Sequence, residues 1–234
     1  MKILLAFTLL SANCYAQVEI GISTGLQLFN YVRSPRVTTL SNNITFWAWQ
    51  NSLDGGFWFG LYVMHKATKM QKLKHELSFY QTMYSYEYQV PVTLPGSNFK
   101  YFYPVSGPFL NTLNYRLVTH IYRKRNFVIR AGPAVGFNFL SSPIAEPYFS
   151  EDYPEAAELA KTLDNSFNRV VLYADFETGW KIKRFDLTIS ANYSLSPLTG
   201  RFNYDGYTYR LQDRGLNLFL RLGWRFYNPN NTSQ

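Results

Sequence analysis

The sequence predicts an all-β protein: an eight-stranded antiparallel up-and-down transmembrane β-barrel with long extracellular loops and short periplasmic turns. Three observations predict it. The first is alternation. Segments such as 170–182, 185–195 and 215–227 place aliphatic or aromatic residues at every second position and small, polar or charged ones between them. A period of two sends the two sets to opposite faces of a strand, here one suited to lipid and one to a polar lumen. The second is that long connections alternate with turns of about four or five residues, the asymmetry of membrane barrels. The third is composition, with 19 Tyr, 19 Phe and 5 Trp making 18% aromatic against 16% charged. Aromatic residues favour strands and form the girdles of membrane barrels. A mean hydropathy of −0.20 excludes a helical membrane bundle. It suits a barrel, in which only alternate residues meet lipid. The competing reading is a soluble barrel, whose aliphatic face points inward. It has less reason for the loop asymmetry, and the glycine-, serine- and charge-rich lumen left by the outward assignment would make a poor hydrophobic core.

Residues 1–16 read as a secretory signal peptide: Lys2, the apolar run 3–10, and small residues at Cys14 and Ala16. The run is far too short to span a bilayer. Cleavage is expected after Ala16. The alternative is lipidation of Cys14, against which Asn13 stands where a small residue is expected. Cys14 is the chain's single cysteine, so the mature chain would carry no disulfide. Residues 17–228 are assigned to the barrel and 229–234 to a polar tail.

Strand one, 18–30, turns Val18, Ile20, Ile22, Thr24, Leu26 and Leu28 one way and Glu19, Gly21, Ser23, Gly25 and Gln27 the other. A small polar face suits a narrow interior. A long connection over 31–56 follows, in which 44–49 could extend a strand above the membrane. Strand two, 57–66, alternates poorly because FWFGLYVM is apolar throughout. Strand three, 72–88, sets Leu73, Leu77, Phe79 and Met83 against Lys74, Glu76, Ser78, Tyr80 and Thr82. Residues 90–106 read as a loop because of Pro91, Pro95, Gly96 and Pro104. Strand four, 108–122, points Arg116 and His120 inward. Strand five, 127–139, points Arg130 inward and carries Pro133 in its middle, where a ladder donor is missing. Residues 141–168 form a long polar loop with an expected helix over 154–164, opened by Pro154 with Glu155 and Glu158 near its start. Strand six, 169–182, sends Asp175 and Glu177 inward. Strand seven is 185–195, a Tyr- and Gly-rich loop covers 196–214, and strand eight, 215–227, pairs back with strand one.

Within 113–139, LNYRLVTHIYRKRNFVIRAGPAVGFNF, two strands flank a basic turn, and Ala131-Gly132-Pro133 precedes Gly136. A second hairpin, YADFETGWKIKRFDLTISANYSLSPLT, covers 173–199. On these residues the chain resembles the PorT-like outer-membrane β-barrel family of Bacteroidetes. The resemblance implies architecture rather than activity, and a link to secretion machinery through a periplasmic partner. The poorly alternating second strand and the tail beyond the terminal aromatic depart from the family's pattern.

Inward-facing ionisable residues form the one site-like constellation: Glu19, Arg116, His120, Arg130, Asp175, Glu177 and Arg221. Opposite charges in so narrow a lumen are expected to pair and plug the barrel. The alternative is a narrow gated pore for small polar solutes. A lipid-A-modifying or other outer-membrane enzyme is the second alternative. It needs its acid–base groups near the outer rim, whereas His65, His75 and His120 fall toward the short turns. No catalytic residues, cofactor or metal are therefore expected, and the protein reads as a non-enzyme. The net charge of +8 collects at turns. Arg123, Lys124, Arg125, Lys181, Lys183 and Arg184 are expected to form a periplasmic basic rim that meets anionic headgroups or docks a partner. Expected partners are outer-membrane lipids and lipopolysaccharide, the barrel-assembly machinery with periplasmic chaperones, and a periplasmic or secretion-system protein. Nucleic acid is not among them. The expected location is the bacterial outer membrane, with a structural, adhesive or partner-docking role.

Overall fold

Every strand of the barrel bonds to its neighbours in sequence, and the first bonds to the last. The computed structural model describes residues 18–34, 36–41, 43–52, 56–67, 71–91, 100–140, 158–159, 162–163 and 165–227. The signal-peptide and tail assignments lie outside them, as does most of the expected helix, of which only 158–159 and 162–163 are described as helical.

The strands are β1 (Glu19–Arg33), β2 (Thr38–Thr39), β3 (Thr45–Ser52), β4 (Phe57–Lys66), β5 (Lys72–Pro91), β6 (Lys100–Lys124), β7 (Phe127–Leu140), β8 (Val170–Ile182), β9 (Phe185–Ser194), β10 (Arg201–Tyr204), β11 (Tyr207–Arg210) and β12 (Arg214–Tyr227). The antiparallel order β12-β9-β8-β7-β6-β5-β4-β1 is closed by β12–β1 pairing, giving an eight-stranded barrel with no free edge. β2 and β3 extend the sheet above β4, where β3 bridges β1 and β5. At about 3.3 Å per residue, strands such as the 13-residue β8 are long enough to cross a hydrocarbon layer even when tilted.

The outward faces follow the alternation. Leu26, Phe57, Phe59, Leu61, Leu77, Phe137, Leu172, Trp180, Leu187, Ile189 and Leu222 are all exposed. Strand two, which alternates poorly by residue type, alternates cleanly in burial. Trp58, Gly60, Tyr62 and Met64 go inside while Phe57, Phe59 and Leu61 go out. Its interior aromatics thus fill lumen rather than face lipid. Gly60 is there because a Cβ would stand 2.7 Å from Glu76 Oε1 and 2.8 Å from Ser23 Oγ.

Two details differ from the expectations. Residues 90–106 are mostly strand, since β5 runs to Pro91 and β6 starts at Lys100, with Pro104 opposite Glu87 in the tall hairpin. Proline here sits on β6 beyond the barrel wall, where among the described residues β6 pairs with β5 alone and β3 covers the far side of β5. The 196–214 connection is not a bare loop, because β10 and β11 form a hairpin whose Asp205-Gly206 turn has φ of 48° and 73°. That is the Asx-Gly pairing favoured in two-residue hairpins. Pro133 also finds its place. The β6–β7 ladder lapses between Arg116–Ala134 and Thr119–Ala131, so Pro133 and Gly132 face no register partner on β6 while both pair with β8. Gly132 lies so near β6 that a Cβ would meet the Leu117 carbonyl oxygen at 1.9 Å.

Candidate functional site: the barrel lumen

The lumen is filled in layers, because inward residues of eight strands converge at each height. Nearest the short turns, Glu19 of β1 pairs with Lys72 of β5 and, at 3.4 Å, with Arg225 of β12. Arg225 also reaches Asp186 at 3.6 Å, and Lys181 stands opposite Asp186 in the β8–β9 register.

The central layer is an ion cluster. Arg116 of β6 donates to Glu76 through Nε (2.9 Å) and Nη2 (2.6 Å), to Asp175 through Nη1 (2.6 Å), and to Glu177. Glu177 also takes Arg130 of β7, Arg221 Nη1 at 3.2 Å and Lys74 Nζ at 3.6 Å. Glu76 takes Arg221, and Lys74 Nζ at 2.9 Å. Arg116, Arg130 and Glu177 are fully buried. Buried guanidinium groups are tolerated when carboxylates fill their forks, as Glu76, Asp175 and Glu177 do for Arg116; Arg130 is hydrogen-bonded through Nη1 alone. Ser23 ties β1 into the cluster by donating to Glu76 (2.6 Å) and accepting from Arg221 (3.1 Å).

Above the ions lies an aromatic floor. Trp58 stacks on Tyr80 with ring centroids 5.3 Å apart, and Phe219 meets it edge-on at 5.0 Å. Arg221 and Arg116 lie 4.3 and 5.4 Å from the Trp58 ring, positions that add cation–π attraction. Higher still, Val32, Leu40, Ile44, Ala48, Tyr84, Tyr86, Leu110, Leu159, Leu163, Val171, Tyr173, Leu198, Phe202 and Leu211 form a buried apolar cluster joining wall and loops. Asp213, outside the membrane-spanning strands, is buried at its side. It accepts from Ser34 Oγ (2.6 Å) and Thr199 Oγ1 (2.9 Å), and burial pushes its carboxyl above the usual range.

An exterior that exposes leucine and phenylalanine around an interior that buries arginine and glutamate is inside-out for a protein in water. The chain is an outer-membrane β-barrel protein. No protein-family model matches the sequence, and no curated protein matches it. Among solved structures the chain is similar to Ail, the attachment invasion locus protein of Yersinia pestis, solved with the heparin analogue sucrose octasulfate. That match has 13% identity over 90% of this chain and 99% of Ail, with a TM-score of 0.37. It is similar also to the outer membrane protein AlkL, at 10% identity over 92% and 93% of the two chains with a TM-score of 0.44. OprG from Pseudomonas aeruginosa matches at 10% identity over 91% and 95%, with a TM-score of 0.40. At these identities the likeness is one of fold.

Of the seven predicted interior residues, the structure brings Arg116, Arg130, Asp175, Glu177 and Arg221 into one cluster. Glu19 belongs to the lower layer, and His120 points inward beside Arg130 in the β6–β7 register. The hub, Glu76, is not among the seven. Glu76 and Lys74 were legible as inward by parity, but nothing in their spacing showed that Glu76 would meet two arginines from strands far away in sequence. The predicted basic rim is exposed at Arg123, Lys124, Arg125, Lys183 and Arg184. Lys181 does not join it. It is 8% exposed and faces the lumen, because it continues the inward parity of Asp175, Glu177 and Gly179 on β8. Of the histidines, His65 and His75 stack on the outer wall at 5.1 Å, and His75 Nδ1 lies 2.8 Å from the Tyr115 hydroxyl. Among the described residues no group of three or more His, Cys, Asp or Glu could hold a metal.

Proposed function

We propose that the protein is a non-catalytic, non-conducting outer-membrane barrel whose work is done at its ends, by partner docking or adhesion through the loops and rims. The observation that carries this reading is the layered lumen. A buried ion cluster lies under stacked aromatics and an apolar plug, and each layer uses side chains from several strands. A solute would have to separate paired charges to pass, at a cost of several kcal/mol for each ion left unpaired. The exposed cations at the short turns supply a docking surface for an acidic periplasmic partner or for anionic headgroups. The resemblance to PorT-like barrels favours a partner in secretion over a free-standing structural role.

Single-channel recording in planar bilayers tests the closed lumen. Silence with the parent protein is expected, and steady conductance that changes on Arg130→Gln would establish a pore instead. Mild cross-linking followed by co-purification tests docking. An adduct that disappears when Arg123, Lys124 and Arg125 are all replaced by Gln supports it, and an unchanged adduct pattern counts against the rim.

A further inference from the structure

The outer wall carries a groove of about 410 Å³ near the long-loop end, lined by Tyr31, Arg33, Tyr193, Gln212, Arg214 and Leu216. Its position follows from a bulge. In β1 the register to β12 slips between Gln27 and Phe29, leaving Leu28 as an extra residue. Below the slip the even-numbered residues face outward, and above it Tyr31 and Arg33 face outward while Asn30 and Val32 are buried. The bulge thus delivers Arg33 to the exterior, directly opposite Arg214.

Two arginines in direct cross-strand register repel each other. The arrangement is repeated next to it, since Arg201 stands opposite Arg210 in the β10–β11 hairpin. Gln212, which lines the groove beside Arg33 and Arg214, has its side-chain amide 3.1 Å from Arg210 Nε and 3.3 Å from Nη2, and accepts from both with its oxygen turned toward them. Among the described residues no ion pair involves any of these four arginines. Arg214 spends one of its five N–H groups on the Leu195 carbonyl at 2.7 Å, which fixes the side chain against the wall. This contrasts with the lumen, where every arginine of the central layer meets a carboxylate.

We infer that this groove holds the phosphate of an anionic lipid in the surrounding leaflet, with the Arg33–Arg214 pair as its cradle. A phosphate relieves the repulsion between the guanidinium groups and accepts their forks in bidentate fashion. The setting selects a lipid over a free ion. Tyr31 and Tyr193 flank the pair as interfacial aromatics do. Leu216 forms part of the wall, and Leu28, Leu218 and Leu220 continue below it on the outer face where acyl chains would lie. The inference requires only that the barrel span a membrane, and stands whether or not the protein docks a partner.

The test uses the full chain folded in phosphatidylcholine nanodiscs doped with bis-phosphorylated lipid A or with its dephosphorylated counterpart, and native mass spectrometry reads the co-retained lipid. The phosphorylated form is expected to be retained selectively. The R33Q/R214Q double variant should lower its retention about 30-fold, and Arg214→Gln alone about 5-fold, as expected for losing two or one basic residues at an anionic surface. R33K/R214K, which keeps charge without the fork, should fall between. Heat-modifiable gel migration confirms that each variant is folded, and the single variant carries the test should the double one fail to fold. Equal retention of the dephosphorylated lipid, or unchanged retention by a folded variant, overturns the inference. Displacement of the lipid by millimolar inorganic phosphate would mark a soluble-anion site and overturn the lipid assignment.

Discussion

Replacing Glu177 by Gln removes one negative charge from a place where four cations converge: Arg116, Arg130, Arg221 and Lys74. The amide is close to isosteric, so packing is preserved and the loss is electrostatic. Breaking a buried ion pair from one side costs about 3–5 kcal/mol, because the abandoned partner stays buried without compensation. Arg130 suffers most, since its remaining contact is Asp186 at 3.8 Å, whereas Arg116 and Arg221 keep Glu76. Glu177→Gln should therefore destabilise the barrel by about 3–5 kcal/mol, measured by urea-induced unfolding from lipid vesicles. Adding Arg130→Gln should recover part of the loss, because removing both partners is cheaper than stranding one. A Glu177→Gln barrel as stable as the parent, or a double variant no better than the sum of the two single ones, would refute the account of the central layer.

Ile189→Arg, on the lipid face of β9, should cost about 2–4 kcal/mol in the same assay. A negligible cost there would mean the face is not in lipid. Gly132→Ala places a methyl group against the Leu117 carbonyl, which cannot move without shifting β6. The expected loss is about 1–3 kcal/mol, visible as a lower temperature for loss of the compact gel form. Asp213 gives a pH dependence. Its folded pKa is raised, so the fold binds a proton more tightly than the unfolded chain does. Its contribution is fullest below the unfolded value and is lost as pH rises through the folded one. Proteolytic protection of the β10–β11 hairpin should fall across that window in the parent and stay flat in Asp213→Asn.

Alternation made the walls readable. β4, β8, β9 and β12 lie within a residue or so of their expected limits because each buries one face and exposes the other, and a period-two pattern encodes that directly. Three things escaped it. Pro104 hid the tall β5–β6 hairpin, since proline argues against a ladder only where its missing donor would be needed. The apolar plug escaped because Leu159, Leu163, Leu198 and Leu211 lie in connections, where burial follows how loops fold over the mouth and leaves no period. The Asp205-Gly206 turn is a hairpin signal of only two residues set among tyrosines. In the lumen, parity identified inward residues but not their height, so Glu19 and Glu177 looked equivalent although they lie in different layers.

The join between β1 and β12 also dictates an order of events during biogenesis. Ser23 and Arg221, whose side chains bond across the seam, are 198 positions apart in the chain. Until β12 arrives, Glu76 lacks one of its two arginines, and the half-built cluster must remain hydrated. The seam and the dry ionic centre should therefore mature together as the last step of insertion. Pulse-labelled hydrogen exchange checks this timing. Late and simultaneous protection of the β1 and β12 backbones is expected, and protection of the seam before the β5–β6 hairpin would reverse the order.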